Sequence, residues 1–115
     1  MAVTEIWHNP RCSKSRQTLA LLEAQGIAPN IRLYQQNAPD EAEIRAVLAA
    51  LDLPAIALIR SGDALFKELG LTKDAPESAL IVAMAAHPAL IERPVVLHDG
   101  KAALGRPPER VLDLF

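Results

Sequence analysis

The sequence predicts an α/β fold on a mixed four-stranded sheet, and three observations carry that prediction. Two short apolar runs, 3–7 and Ile31-Arg32-Leu33-Tyr34, lie either side of a helical pattern over 13–25. Strand, helix, strand within about 35 residues is a βαβ unit, so these strands are expected to be parallel with a right-handed crossover. Near the other end, Asp99-Gly100 separates Pro94-Val95-Val96-Leu97 from Ala102-Ala103-Leu104, a strong hairpin signal. Between these two parts the chain reads as helix from about 39 to 90. At 115 residues it is expected to form one domain, 1–115, with that stretch as a helical insert.

Each element has its own signal. The strand over 3–7 is short and apolar at Val3, Ile6 and Trp7. The first helix runs from about Ser13 to Gln25 with Leu19 and Leu22 inward, and Gly26 suits the position just past its end. Pro39 opens a second helix whose first turn carries Asp40 and Glu41, as the dipole favours. Its apolar face is Ile44, Val47, Leu48 and Leu51. Pro54 begins a short helical stretch ending near Arg60, broken by Ser61-Gly62-Asp63. Residues 64–69 form one or two further turns closed by Gly70. Glu77 to His87 is a helix with Leu80, Ile81 and Met84 inward, stopped by Pro88. Glu109 to Phe115 is expected as a last helix. The order β-α-β, helical insert, β-β-α matches a thioredoxin-like layer of sheet and helices.

Composition narrows the function classes. Half the residues are hydrophobic, but no stretch approaches the ~20 apolar residues of a membrane helix. The start, Met1-Ala2-Val3-Thr4-Glu5, lacks a basic segment and an apolar signal core, so a cytoplasmic location is expected. One cysteine allows no internal disulfide, in keeping with a reducing compartment. The net charge of −2 and only four aromatic residues argue against general nucleic-acid binding. The three histidines and one cysteine have no ligand-like spacing, so no metal site is expected. No bound organic cofactor is implied.

The chemistry concentrates in His8-Asn9-Pro10-Arg11-Cys12-Ser13-Lys14-Ser15-Arg16. Cys12 stands where a strand hands over to a helix, facing free backbone N–H groups and the positive end of the helix dipole. No acidic residue occurs from Trp7 to Leu22, whereas His8, Arg11, Lys14 and Arg16 all do. Those surroundings turn a thiol into a thiolate. At a reference pKa of ~8.5 about 3% of a thiol is ionised at pH 7, and at ~6.5 about three quarters is. A cysteine near a helix start is ordinarily an inert small hydrophobe; the basic, acid-free run argues for a nucleophile. His8 has three readings: an imidazolium that lowers the Cys12 pKa, a proton relay, or a strand cap. His87 and His98 read as structural.

Three arginines stand outside that run. Arg60 closes a helix before a glycine break, Arg93 precedes Pro94 at the third strand, and Arg106 precedes Pro107-Pro108. In a thioredoxin-like layout the loop before the third strand faces the thiol and commonly holds a cis proline, which makes Arg93-Pro94 a candidate. The guanidinium fork binds tetrahedral oxyanions in a bidentate way and stays charged. Each arginine alone could be solvated surface charge; together with Cys12 they point to an oxyanion substrate.

The residues His8-Asn9-Pro10-Xaa-Cys12, Ser15-Arg16, Arg60, Glu92-Arg93-Pro94 and Gly105-Arg106-Pro107 resemble the glutaredoxin-coupled arsenate reductases of the thioredoxin-like superfamily, over nearly the whole chain. The similarity is closest to a short bacterial branch with the motif His-Asn-Pro-Arg-Cys-Ser-Lys-Ser-Arg. The resemblance implies that Cys12 attacks arsenate to form a thiol-arsenate adduct, and that Arg60, Arg93 and Arg106 hold its oxygens. It implies that His8 favours the thiolate and Ser15 hydrogen-bonds to the sulfur. Glutathione would attack the adduct, reducing As(V) to As(III), and glutaredoxin would remove the resulting mixed disulfide. Independently, a lone cysteine requires its resolving thiol to come from outside the chain. Two other readings stand beside this one: a thiol-stress regulator of the Spx type, in which Ser15 occupies the place of a second cysteine, and a general glutathione-dependent thiol oxidoreductase, which would not need three arginines.

Overall fold

The computed structural model describes residues 3–115; the expectation about the chain start that includes Met1 and Ala2 lies outside them. The elements in order are β1 (Thr4–Trp7), α1 (Ser13–Ala24), β2 (Asn30–Arg32), α2 (Glu41–Leu51), α3 (Ala55–Leu58), α4 (Ala64–Glu68), α5 (Glu77–Ala86), a 3-10 turn (Pro88–Leu90), β3 (Val95–His98), β4 (Lys101–Leu104) and a closing 3-10 helix (Pro108–Leu114). The α/β class and the mixed four-stranded sheet are as expected, with strand order β2-β1-β3-β4. β1 runs parallel to β2 and antiparallel to β3, and β3 and β4 form the hairpin. Asp99 and Gly100 both take positive φ, 50° and 77°, the backbone that an Asp-Gly two-residue turn requires.

The chain divides into two compact units, one from the start to Asn37 together with Arg93–Phe115, the other Ala38–Glu92. The first holds the sheet, α1 and the closing helix. Its core is Ile6, Leu22, Val96 and Val111, all fully buried, with Leu19, Ile27, Ala103 and Leu114 packed against them. Each such aliphatic side chain contributes about 1.5–3 kcal/mol by leaving water. The closing segment forms a 3-10 helix rather than the regular helix expected. Pro107 and Pro108 supply no N–H to its start, and the tighter winding brings residues three apart, Val111 and Leu114, onto one face, where both meet the core.

In the second unit α5 packs on α2, on α3 and on the Pro88–Leu90 turn. Ile44, Val47 and Leu48 of α2 and Leu80, Ile81 and Met84 of α5 are buried. Asp40 is the cap of α2 rather than a residue of its first turn. Its carboxylate accepts the Glu43 N–H (2.8 Å) and the Glu43 side chain accepts the Asp40 N–H (3.3 Å), a capping box. α3 stops at Leu58, short of Arg60, because Ile59 leaves the helix to form a bridge with Ile91. The Pro88–Leu90 turn has no counterpart in the sequence reading.

Candidate active site

β1 delivers the site. The fully buried Trp7 ends the strand, and Trp7 pairs with Arg32 of β2 on one side and Val95 of β3 on the other. The C-terminal ends of β1 and β2 and the start of β3 therefore share one edge of the sheet. His8 carries the parallel ladder one step further, its N–H donating to the Arg32 carbonyl at 2.8 Å. The chain then turns: the Cys12 N–H donates to the Asn9 carbonyl at 3.0 Å, and the Arg11 N–H to Asn9 Oδ1 at 3.0 Å. Arg16 Nη1 donates to the Pro10 carbonyl at 2.8 Å, tying α1 back to this turn. Arg16 was counted from the sequence only among the basic residues around Cys12, and that clamp was not foreseen. A long cationic side chain one helical turn past Cys12 was its only signal.

Cys12 is the residue that caps α1. Its backbone is extended (φ −94°, ψ 123°) and its carbonyl accepts the first helical bond, from Arg16 N–H at 3.0 Å. Cys12 is half-buried. Burial alone pushes the thiol up, yet the net shift is downward. The backbone N–H of Ser15, the Arg93 side chain and the backbone N–H of Lys14 all favour the thiolate and together outweigh burial. The first turn of α1 holds no acidic residue to oppose them, so dipole and side-chain charge act in one direction.

His8 and Ser15 are both buried. His8 Nδ1 and Ser15 Oγ lie 2.6 Å apart, and Ser15 Oγ accepts the Asn9 N–H at 3.0 Å. The Ser15 hydroxyl is thus engaged with the loop and with His8, and Ser15 acts on the sulfur through its backbone N–H. Burial, then the Arg16 charge, hold the His8 pKa below its ordinary value, which favours the neutral ring. A hydroxyl donating to Nδ1 suits that form.

The loops around β3 bring two of the arginines together. Arg93 and Arg106 each precede a cis proline, Pro94 and Pro107; the first was the candidate named from sequence, the second was not foreseen. Arg106 Nη1 donates to the Arg93 carbonyl at 3.0 Å, and the Gly105 N–H to the Pro94 carbonyl at 3.0 Å. Gly105 is there because nothing larger fits: a Cβ would stand 2.7 Å from Pro94 Cγ and closer still to Thr18 Oγ1. Arg60 belongs to the second unit, where Nη1 donates to Glu92 Oε1 at 2.9 Å and Nε lies 3.6 Å from Asp63. A cleft of about 280 Å³ opens between residues 8–11 and the turn after β2, at Leu33, Gln35 and Gln36. Among the described residues no three His, Cys, Asp or Glu side chains group so as to hold a metal, and no helix is long and apolar enough to cross a membrane.

A family model for the ArsC family matches residues 7–114. The chain belongs to the ArsC family. This ArsC-family chain is 48% identical over 113 residues to an arsenate reductase of Neisseria meningitidis, covering 96% of the chain and 97% of the relative. It is 47% identical over 112 residues to YfgD, an uncharacterised protein of Escherichia coli K12, covering 96% and 94%. The solved structure of an arsenate reductase from Vibrio cholerae superposes with a TM-score of 0.95 at 47% identity, over 98% of each chain. The thioredoxin-like ArsC architecture is therefore that of the family.

Proposed function

We propose that this chain is an arsenate reductase that reduces As(V) to As(III) through Cys12. The observation that carries the reading is a half-buried thiol at the start of α1, drawn toward the thiolate by two backbone N–H groups and by Arg93. Relatives named arsenate reductase at 45–48% identity over nearly the whole chain support it.

In this reading the Cys12 thiolate attacks arsenic, an arsenate oxygen leaves as water, and Arg93 and Arg106 neutralise the remaining oxygens. Arg60 enters on the family resemblance alone. The neutral His8, held by Ser15, orders the loop and can pass the proton that the leaving oxygen needs. Cys12 has no partner cysteine in the chain, so the two electrons come from two external thiols, which end as a disulfide while As(III) departs and Cys12 is regenerated. Glutathione supplies the first thiol and glutaredoxin resolves the mixed disulfide. The reducing cytoplasm is where such a cycle runs, with 1–115 working as one catalytic domain and no bound cofactor.

The test follows As(V) consumption with glutathione and glutaredoxin, comparing the wild type with Cys12→Ser. Turnover in the wild type and background in the variant is the expected pair. Equal rates, or no rate in either, rejects the proposal.

A further inference from the structure

The sheet order places two chemically different surfaces on either side of the Cys12 loop. On the β3 side stand Arg93, acting directly on the sulfur, and Arg106, bonded to the Arg93 carbonyl. On the β2 side lies the 280 Å³ cleft between residues 8–11 and the turn at Leu33, Gln35 and Gln36. No acidic residue lines it. Its polar groups are Arg11, the amides of Asn9, Gln35 and Gln36, and the His8 ring. Asn9 Oδ1 is occupied by the Arg11 N–H, so the Asn9 amide presents its NH₂ group as a donor. The Arg11 fork is exposed beside it. Donors and one fixed positive charge suit a carboxylate and peptide carbonyls. The volume is close to the lower end of the roughly 300–1,000 Å³ typical of small-molecule sites, which suits a short peptide.

Cys12 is the only cysteine, so in the thiol-dependent reading a second thiol must arrive from solution, and that reading assigns the arginines on the β3 side to the anion. We infer that the cleft on the β2 side is the docking site for a small, carboxylate-bearing peptide thiol, with Arg11 holding its carboxylate and Asn9, Gln35 and Gln36 its amide groups. The cleft is lined by the four residues that lead into Cys12, and the Cys12 N–H to Asn9 carbonyl bond folds that loop so that cleft and thiol share one turn. This rests on the thiol-dependent reduction proposed above, which names the co-substrate but not where it binds.

The experiment has two arms. In the first, S-methylglutathione is titrated into the Cys12→Ser protein without arsenate, and backbone amide shifts are followed by NMR. Movement of residues 8–11 and 33–36 is expected. Movement confined to the loops at Arg93 and Arg106, or none at millimolar ligand, overturns the inference. Because no arsenate is present, this arm stands whether or not the chain reduces arsenate. In the second arm, Arg11→Gln is assayed with glutathione and with uncharged 2-mercaptoethanol as alternative thiols. The ratio of the two KM values should shift against glutathione about tenfold, the loss expected of one charge-assisted contact. An unchanged ratio overturns the role of Arg11.

Discussion

The state of Cys12 depends on a contest between burial, which opposes the thiolate, and Arg93 with two backbone N–H groups, which favour it. The thiolate absorbance of the wild type should titrate with a midpoint below the ordinary ~8.5. Arg93→Gln should move that midpoint upward. Arg93→Lys keeps the charge but not the fork, so it should retain much of the depressed midpoint and the thermal stability while cutting turnover about tenfold or more. A stability loss with unchanged turnover per folded molecule would contradict the assignment. The depressed Cys12 pKa stabilises the fold above the unfolded thiol's pKa, and that contribution is lost as pH falls through the folded value. His8 is a base with a lowered folded pKa, so the unfolded chain takes up its proton first. Stability should therefore decline as pH falls below about 6.5. His8→Gln should flatten that acid limb in thermal melts taken across pH. The place of Cys12 at the start of α1 was legible because a strand handing over to a helix is local in sequence, whereas Arg93, the side chain that acts on the thiol, is brought in only by the fold. The engagement of Ser15 with His8 was not, since only the folded loop brings those side chains within 2.6 Å.

Among the elements, close approach and capping decide most. Gly105→Ala would drive a methyl against Pro94 and Thr18, and since Thr18 Oγ1 already donates to the Lys14 carbonyl at 2.8 Å, neither neighbour yields freely. A loss of about 1–3 kcal/mol in urea unfolding is expected. It should come with reduced turnover, because Pro94 follows Arg93. Asp40→Ala removes one half of the α2 capping box and should cost about 1 kcal/mol without altering the thiolate titration. Strands and helices flagged by strong local chemistry, the Asp99-Gly100 turn and Gly26 after α1, were readable because φ > 0 restricts the residue type. The 3-10 winding of Pro108–Leu114 was not, because a seven-residue stretch whose core contacts are Val111 and Leu114, three residues apart, reads alike at either period. Tertiary pairing likewise ended α3 early, at a bridge to Ile91 far along the chain.

For the whole molecule, element order sufficed to predict the sheet because a βαβ unit and a hairpin leave few ways to assemble four strands. The prediction could not extend to which loops meet at one sheet edge, since register, not composition, places Arg32 and Val95 beside Trp7. A lone cysteine also has a consequence for the intact protein. Oxidised glutathione should give a single mixed disulfide at Cys12 and no intramolecular crosslink, as read by intact-mass spectrometry, and a second adduct on the monomer would contradict it.

Cys12 is also the residue at which α1 begins. An atom that supplies negative charge at that position steadies the helix; one tied into a bond to arsenic or to another sulfur has surrendered that charge. In the proposed reaction, bonding of Cys12 to arsenic would withdraw that support from the first turn, and departure of the product would restore it.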